Sequence, residues 1–189
     1  MTEQDVYKFY NEKVKIIYSE IEARNNVLPI ELLFEIHYSA FDHLKRIHVD
    51  GEPAEEQAGK AYSHLKRGCL DAFKLKLKFF NDDQKKVYDK KADLRIIDNG
   101  TFLTDFISER NKIVTCAKEA RIMEGQKDVE AAFEKWYCVS TMIDAFEQRF
   151  FDSTKIQWAQ KQSFFRFSGT FVVGVVTGVL ASIIVSFIL

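Results

Sequence analysis

The chain has 189 residues, 47% of them hydrophobic and 29% charged, with 17 phenylalanines and a formal net charge of −1. That is ample core material for one ordinary domain with an appendage. With 8 glycines and 2 prolines, turn formers are too scarce for a many-stranded β fold, so the chain reads as all-α: an up-and-down helical bundle ending in one C-terminal transmembrane helix.

The N-terminus is charged from Glu3 onward and has no apolar stretch of signal-peptide type, so residues 1–155 are expected to form a cytosolic helical domain. A first helix runs from Thr2 to Asn25 with Val6, Phe9, Tyr10, Lys13, Ile17 and Ile21 on one face, closed by Asn25-Asn26 and Pro29. A second starts at Pro29 or Ile30, carries Leu33, Ile36, His37, Ala40, Leu44 and Ile47 inward, and stops at Asp50-Gly51. Pro53 opens a third, with a stripe through Ala61, Leu65, Cys69, Phe73, Lys76, Leu77 and Phe80. Its end, FKLKLKFF, alternates like a strand but has no strand partner, and reads as helix. A fourth helix is capped by Asn81, Asp82 or Asp83 and ends near Ile97, before Asp98-Asn99-Gly100. A fifth spans Thr101 to Gly125, and a sixth begins near Asp128 with Phe133, Trp136, Ile143 and Phe146 facing in.

Residues 156–167 form a juxtamembrane segment in which Trp158, Phe164, Phe165 and Phe167 alternate with Lys161 and Arg166, and residues 168–189, SGTFVVGVVTGVLASIIVSFIL, carry no charge. At a rise of about 1.5 Å each, these last residues reach about 33 Å, enough to cross a hydrocarbon layer of about 30 Å. Cations and aromatics on the near side place the domain in the cytoplasm, at the inner membrane if the cell is bacterial. Thr170, Gly174, Gly178, Ser182 and Ser186 recur every four positions, a small-residue ladder that lets helix backbones approach in lipid. A homo-oligomer is expected.

Charge is polarised along the chain. Residues 1–59 hold 12 acidic and 6 basic side chains, whereas 60–91 hold 10 basic and 4 acidic. The basic run, Lys74, Lys76, Lys78, Lys85 and Lys86 foremost, is a candidate surface for phosphates or anionic lipid, set against a plain solvated helix face. The four histidines, His37, His43, His48 and His64, lack the three-or-four spacing of metal ligands on a helix, and His37 reads as a core histidine. Cys69, Cys116 and Cys138 read as buried, reduced thiols. No phosphate-loop, dinucleotide, zinc-protease or serine-hydrolase motif occurs, so neither a cofactor nor a metal is expected.

The stretch Ser108-Glu109-Arg110-Asn111-Lys112-Ile113-Val114-Thr115-Cys116 resembles the signature helix of HEPN-domain proteins, a helical superfamily rich in RNases of prokaryotic defence and toxin systems. Arg110 and Asn111 fit the family's pattern, but Thr115 stands where its histidine belongs. A threonine does not titrate near neutral pH and cannot serve as the proton-moving group. The resemblance therefore implies a degenerate, non-catalytic relative, similar to the small membrane proteins of this type that accompany CRISPR and other antiphage systems. On that reading the chain is a tail-anchored effector or accessory protein acting by assembly or pore formation, with a protein partner of a defence system. Two alternatives stand beside it: a membrane-tethered RNase or RNA binder using Arg110 with the Lys74–Lys91 surface, and a tail-anchored adaptor for a soluble partner.

Overall fold

The computed structural model describes residues 1–89, 92–126, 128–151 and 153–188, with side chains at all of these except 88, 89, 153, 166–172, 178 and 180–188. Among the described residues every regular element is helical and no strand occurs. In chain order the long elements are α1 (3–25), α2 (30–48), α3 (Ala54–Asp89), α4 (Thr101–Gly125), α5 (Val129–Phe150) and α6 (Ser153–Ile188), with a 3₁₀ segment, Leu94–Gly100, between α3 and α4.

The breaks follow local chemistry. A capping box opens α1: Thr2 Oγ1 accepts from the Asp5 amide at 3.2 Å, and the Asp5 carboxylate accepts from the Thr2 amide at 2.8 Å. Asn26 ends it in the left-handed conformation (φ 58°), and Gly51 takes φ 70° after α2. Asp98, Asn99 and Gly100 are successively left-handed ahead of α4, where the sequence places a break. The Asp128 carboxylate accepts from the Ala131 amide and caps α5.

The helix expected from Asn81–Asp83 to Ile97 is not separate. α3 runs unbroken through Asn81–Asp83 as far as Asp89, because Phe80, Gln84 and Val87 continue its buried stripe at helical spacing. Asp82 and Asp83 pair with Lys85 and Lys86 along the helix surface instead of capping a new one.

Two helices contain π turns. In α1 the stretch Tyr10–Val14 is a π-helix, and the buried face passes from Val6 and Phe9 to Val14, Ile17 and Ile21. The added residue makes the step from Phe9 five positions, so Val14 enters the core while Lys13, expected on that face, lays its ammonium over the Tyr137 ring at 3.9 Å. In α2 the π stretch Glu35–Ala40 moves the register likewise. Leu32 and Ala40 are buried and His37 is exposed, so His37 is not the core histidine its stripe position suggests.

The chain divides into two units, residues 1–81 with 112–144 and residues 82–111 with 145–189. In the first, Phe9 meets Tyr62 and Phe133 with ring centroids 4.5 and 5.6 Å apart, and Phe73 meets Phe133 at 5.8 Å. Trp136 is wholly buried and donates its indole N–H to Glu124 at 3.0 Å. In the second, Phe102, Phe106, Phe146 and Phe150 form an aromatic cluster with Phe106–Phe146 at 4.9 Å and Phe146–Phe150 at 4.7 Å. The start of α6 joins that unit through buried Ile156 and Ala159, a Lys155–Asp98 ion pair at 2.9 Å, and the Asp93 amide donating to Ser163 Oγ at 2.9 Å.

Candidate functional site

α4 carries Arg110 and Asn111, and Arg110 is already engaged. Its Nε donates to Gln84 Oε1 at 2.6 Å, and one terminal nitrogen reaches Asn111 Oδ1 at 3.5 Å. Gln84 is buried, and its amide nitrogen has no hydrogen-bond partner among the described residues. Arg110 is half-buried, while Asn111 and Thr115 are exposed. The guanidinium can present charge to an anion, and its two partners, the side-chain amides of Gln84 and Asn111, do not shuttle protons near neutral pH.

The basic segment is largely neutralised from within. Lys76 is fully buried, and its ammonium lies 2.7 Å from Glu20, 2.6 Å from Asp144 and 3.0 Å from Ser140. It is a core cation rather than the anion-binding residue expected from the run, because it occupies the inward stripe of α3 and α1 and α5 each supply a carboxylate. Lys66 is nearly buried and pairs with Glu130, its ammonium also lying over the Phe133 ring at 5.0 Å. Lys74 bridges Glu124 at 2.8 Å and Asp71 at 3.2 Å. Burial works against its charge, yet the two carboxylates outweigh it and hold the ammonium above the ordinary lysine value. Lys78, Lys85 and Lys86 are exposed, the last two beside Asp82 and Asp83. What remains for an anion is a scatter of exposed lysines, most with an acidic neighbour.

The Lys76 site had one trace in the sequence, a lysine on an apolar stripe. Its acidic partners lie 56 and 68 positions away in the chain, and no local pattern links them. A cavity of about 120 Å³ adjoins it, lined among others by Lys13, Glu20, Tyr137, Ser140 and Asp144.

Two of the histidines do come together. The His43 and His64 rings stack with centroids 5.3 Å apart, each tied through Nδ1, to Gln57 at 2.6 Å and Glu35 at 2.8 Å. No third ligand joins them: among the described residues no group of three or more His, Cys, Asp or Glu is placed to hold a metal ion. Cys69 and Cys116 are buried as expected, but Cys138 is exposed, on the outer side of α5.

At the C-terminal end, α6 continues as helix to Ile188. Trp158, Phe164 and Phe165 are exposed along its first part. Of the small-residue ladder, Gly174 is described: a Cβ there would meet nothing within 4 Å. The surroundings of Thr170, Gly178, Ser182 and Ser186 lie outside what the structure describes. Between them Val173, Val175, Val176 and Val179 are exposed, and Thr177 donates its hydroxyl back to the Val173 carbonyl at 2.7 Å. Among the described residues, no helix is long and apolar enough to cross a membrane; the side chains of the uncharged run 168–189 fall mostly outside that set. Comparison of the chain with protein families, with characterised proteins and with solved structures gives no match.

Proposed function

We propose that this protein is a helical domain held at a membrane by its C-terminal helix, and that its output is assembly there rather than catalysis. The observation that carries the reading is α6 itself. One helix, Ser153–Ile188, begins with Ile156 and Ala159 buried in its unit, presents Trp158, Phe164 and Phe165 outward, and continues through residues 168–188 without a charge. Aromatics at an interface followed by an uncharged run are what a single-pass anchor needs. No ionisable side chain lies in that run, so a charge-lined ion path is not part of the proposal. The role in prokaryotic antiviral defence, alongside a protein partner, rests on the HEPN-like resemblance around Arg110.

The RNase or RNA-binding alternative has less support. Thr115 replaces the proton-moving histidine, Arg110 is bonded to Gln84, and Lys66, Lys74 and Lys76 are spent on internal carboxylates. It predicts RNA binding that weakens steeply with salt, and RNA cleavage that Arg110→Ala abolishes.

The test is the mass of the full-length protein in mild detergent, compared with Gly174→Leu and Gly178→Leu and with a chain ending at Gln162. A defined oligomer that falls to a smaller species in all three supports assembly through the anchor, with dye release from liposomes as the next measurement. The same number of chains per particle throughout would rule out the small-residue ladder as the assembling element. The adaptor reading would then lead, since it requires only that the anchor remain.

A further inference from the structure

The outer face of α2 is apolar where an exposed helix face should be polar. Ile30, Phe34, Tyr38 and Phe41, spaced by four, four and three, are 74, 53, 73 and 65% exposed. Phe34 and Tyr38 stack with centroids 4.9 Å apart, and Val27 extends the patch at one end. At roughly 200 Å² for a whole aromatic side chain, the three rings alone leave about 400 Å² in water. With Ile30 and Val27 the patch exceeds the few hundred Å² that a monomer ordinarily exposes, and it approaches the ~800 Å² that one partner gives to a stable interface. A shallow groove lined by Ile30, Leu33, Phe34, His37 and Tyr38 runs beside the ridge, so the face offers both a knob and a hole.

We infer that this face pairs with the same face of a second copy, as an antiparallel α2–α2 contact with its two-fold axis at Tyr38. Charge selects this occupant over a lipid surface. Of the charged positions bordering the patch, Arg46 is paired with Asp42 at 2.8 Å and Lys45 with Asp50 at 3.0 Å, Glu35 is turned to His64 at 2.8 Å, and residues 1–59 carry an excess of six acidic groups, so little uncompensated positive charge rims the patch for an anionic bilayer. Around an axis at Tyr38, one of these acidic groups meets an opposite charge. Glu31 of one copy falls opposite Lys45 of the other, seven positions to either side, and Phe34 falls against the region of Phe41. Glu31 and Lys45 are both exposed, and Lys45 is held in place by Asp50 at 3.0 Å. Antiparallel pairing also sets the N-terminal end of each helix beside the C-terminal end of the other, the favourable arrangement of helix dipoles. The inference rests on the assembly reading only in taking a second copy as the partner, and it moves the contact from the membrane helix into the helical domain.

The experiment uses the full chain in detergent and in zwitterionic liposomes, with Cys138→Ser removing the exposed native thiol. In that background Tyr38→Cys is oxidised beside Ile16→Cys, an equally exposed position on α1. A disulfide needs Cα atoms within about 7 Å, which a residue on a two-fold axis meets with its own copy. Tyr38→Cys should cross-link to a dimer and Ile16→Cys should not. Glu31→Lys should lower the cross-linked yield severalfold, and adding Lys45→Glu should restore it, which separates a lost contact from a lost fold. Adding Gly174→Leu and Gly178→Leu should leave the Tyr38 cross-link in place, so failure of the anchor ladder and failure of this interface are told apart. Equal cross-linking at both positions, none at Tyr38, or no rescue by the charge swap would each overturn the proposal. So would a dye on Tyr38→Cys that moves into an apolar environment on liposomes without any dimer, which would assign the patch to lipid.

Discussion

The ammonium of Lys76 lies 2.6 Å from the carboxylate of Asp144, with the lysine side chain wholly shielded from water and the aspartate more than half exposed. A buried cation is tolerated only while its partners remain, and here Glu20 is the second partner, at 2.7 Å. Glu20→Gln combined with Asp144→Asn leaves the charge uncompensated and should cost about 3 kcal/mol, the lower end for a broken buried pair because water reaches Asp144. Lys76→Met keeps the stem's volume and removes the charge, and should be neutral or mildly stabilising. Urea midpoints followed by circular dichroism measure both. A Lys76→Met variant as damaged as the double carboxylate variant would show that the ammonium contributes net stability.

Gly68 sits where α3 passes the Tyr18 hydroxyl, and a Cβ added there would overlap that oxygen. The hydroxyl is fixed because it donates to the Leu32 carbonyl at 3.0 Å in a buried setting. Gly68→Ala should therefore cost about 1–3 kcal/mol by forcing the ring aside. Tyr18→Phe alone should cost about 1 kcal/mol for the lost hydrogen bond. The double variant should lose less than the two together, since the clashing atom is gone. A cycle of thermal midpoints reads the coupling, and strict additivity would contradict the overlap.

These contacts mark where the sequence was legible and where it was not. Helix ends at Asn26, Gly51 and Asp98–Gly100 were readable because left-handed backbone has few residue types to choose from. Asn81–Asp83 misled for the opposite reason: capping residues are common on exposed helix faces, and only the continuing stripe of Phe80, Gln84 and Val87 settles the matter. His37 was misassigned because a π turn leaves no local signature, whereas Ala40 at the end of that stretch, and Ile17 and Ile21 beyond the π turn of α1, are buried as expected. Arg110 was visible as a residue, but its Gln84 partner lies on another helix. The aromatic face of α2 was present as spacing throughout, yet without burial it could not be told from core.

Cys69 is buried in α3, and burial pushes its thiol from an ordinary value of 9.0 up to about 12, with Lys13 pulling more weakly the other way. The folded state thus holds its proton longer than the unfolded state. The stability due to the neutral thiol is complete below pH 9 and is lost as pH rises toward 12, at about 1.4 kcal/mol per pH unit. Cys69→Ala should flatten this alkaline limb in urea titrations between those pH values. A thiol reagent at neutral pH should modify Cys138 quickly and leave Cys69 untouched until the chain unfolds. Equal rates at both would contradict the burial.

The π turn of α1 predicts an asymmetry between two single-residue deletions. Removing one residue from an α-helix rotates everything beyond it by about 100°, which takes a buried face out of the core. Within Tyr10–Val14 the chain already holds one residue more than α geometry needs, since Phe9 and Val14 are both buried five positions apart. Deleting Asn11, which is exposed, leaves those two four apart, the ordinary same-face spacing, and keeps Ile17 and Ile21 inward. That deletion should cost no more than about 1 kcal/mol. Deleting Ser19, equally exposed but within the regular stretch Lys15–Asn25, rotates the fully buried Ile21 outward and should cost about 2–5 kcal/mol. Thermal midpoints of the two variants decide it. Comparable losses would mean that the π turn is held by the Lys13–Tyr137 contact rather than by the register of the core.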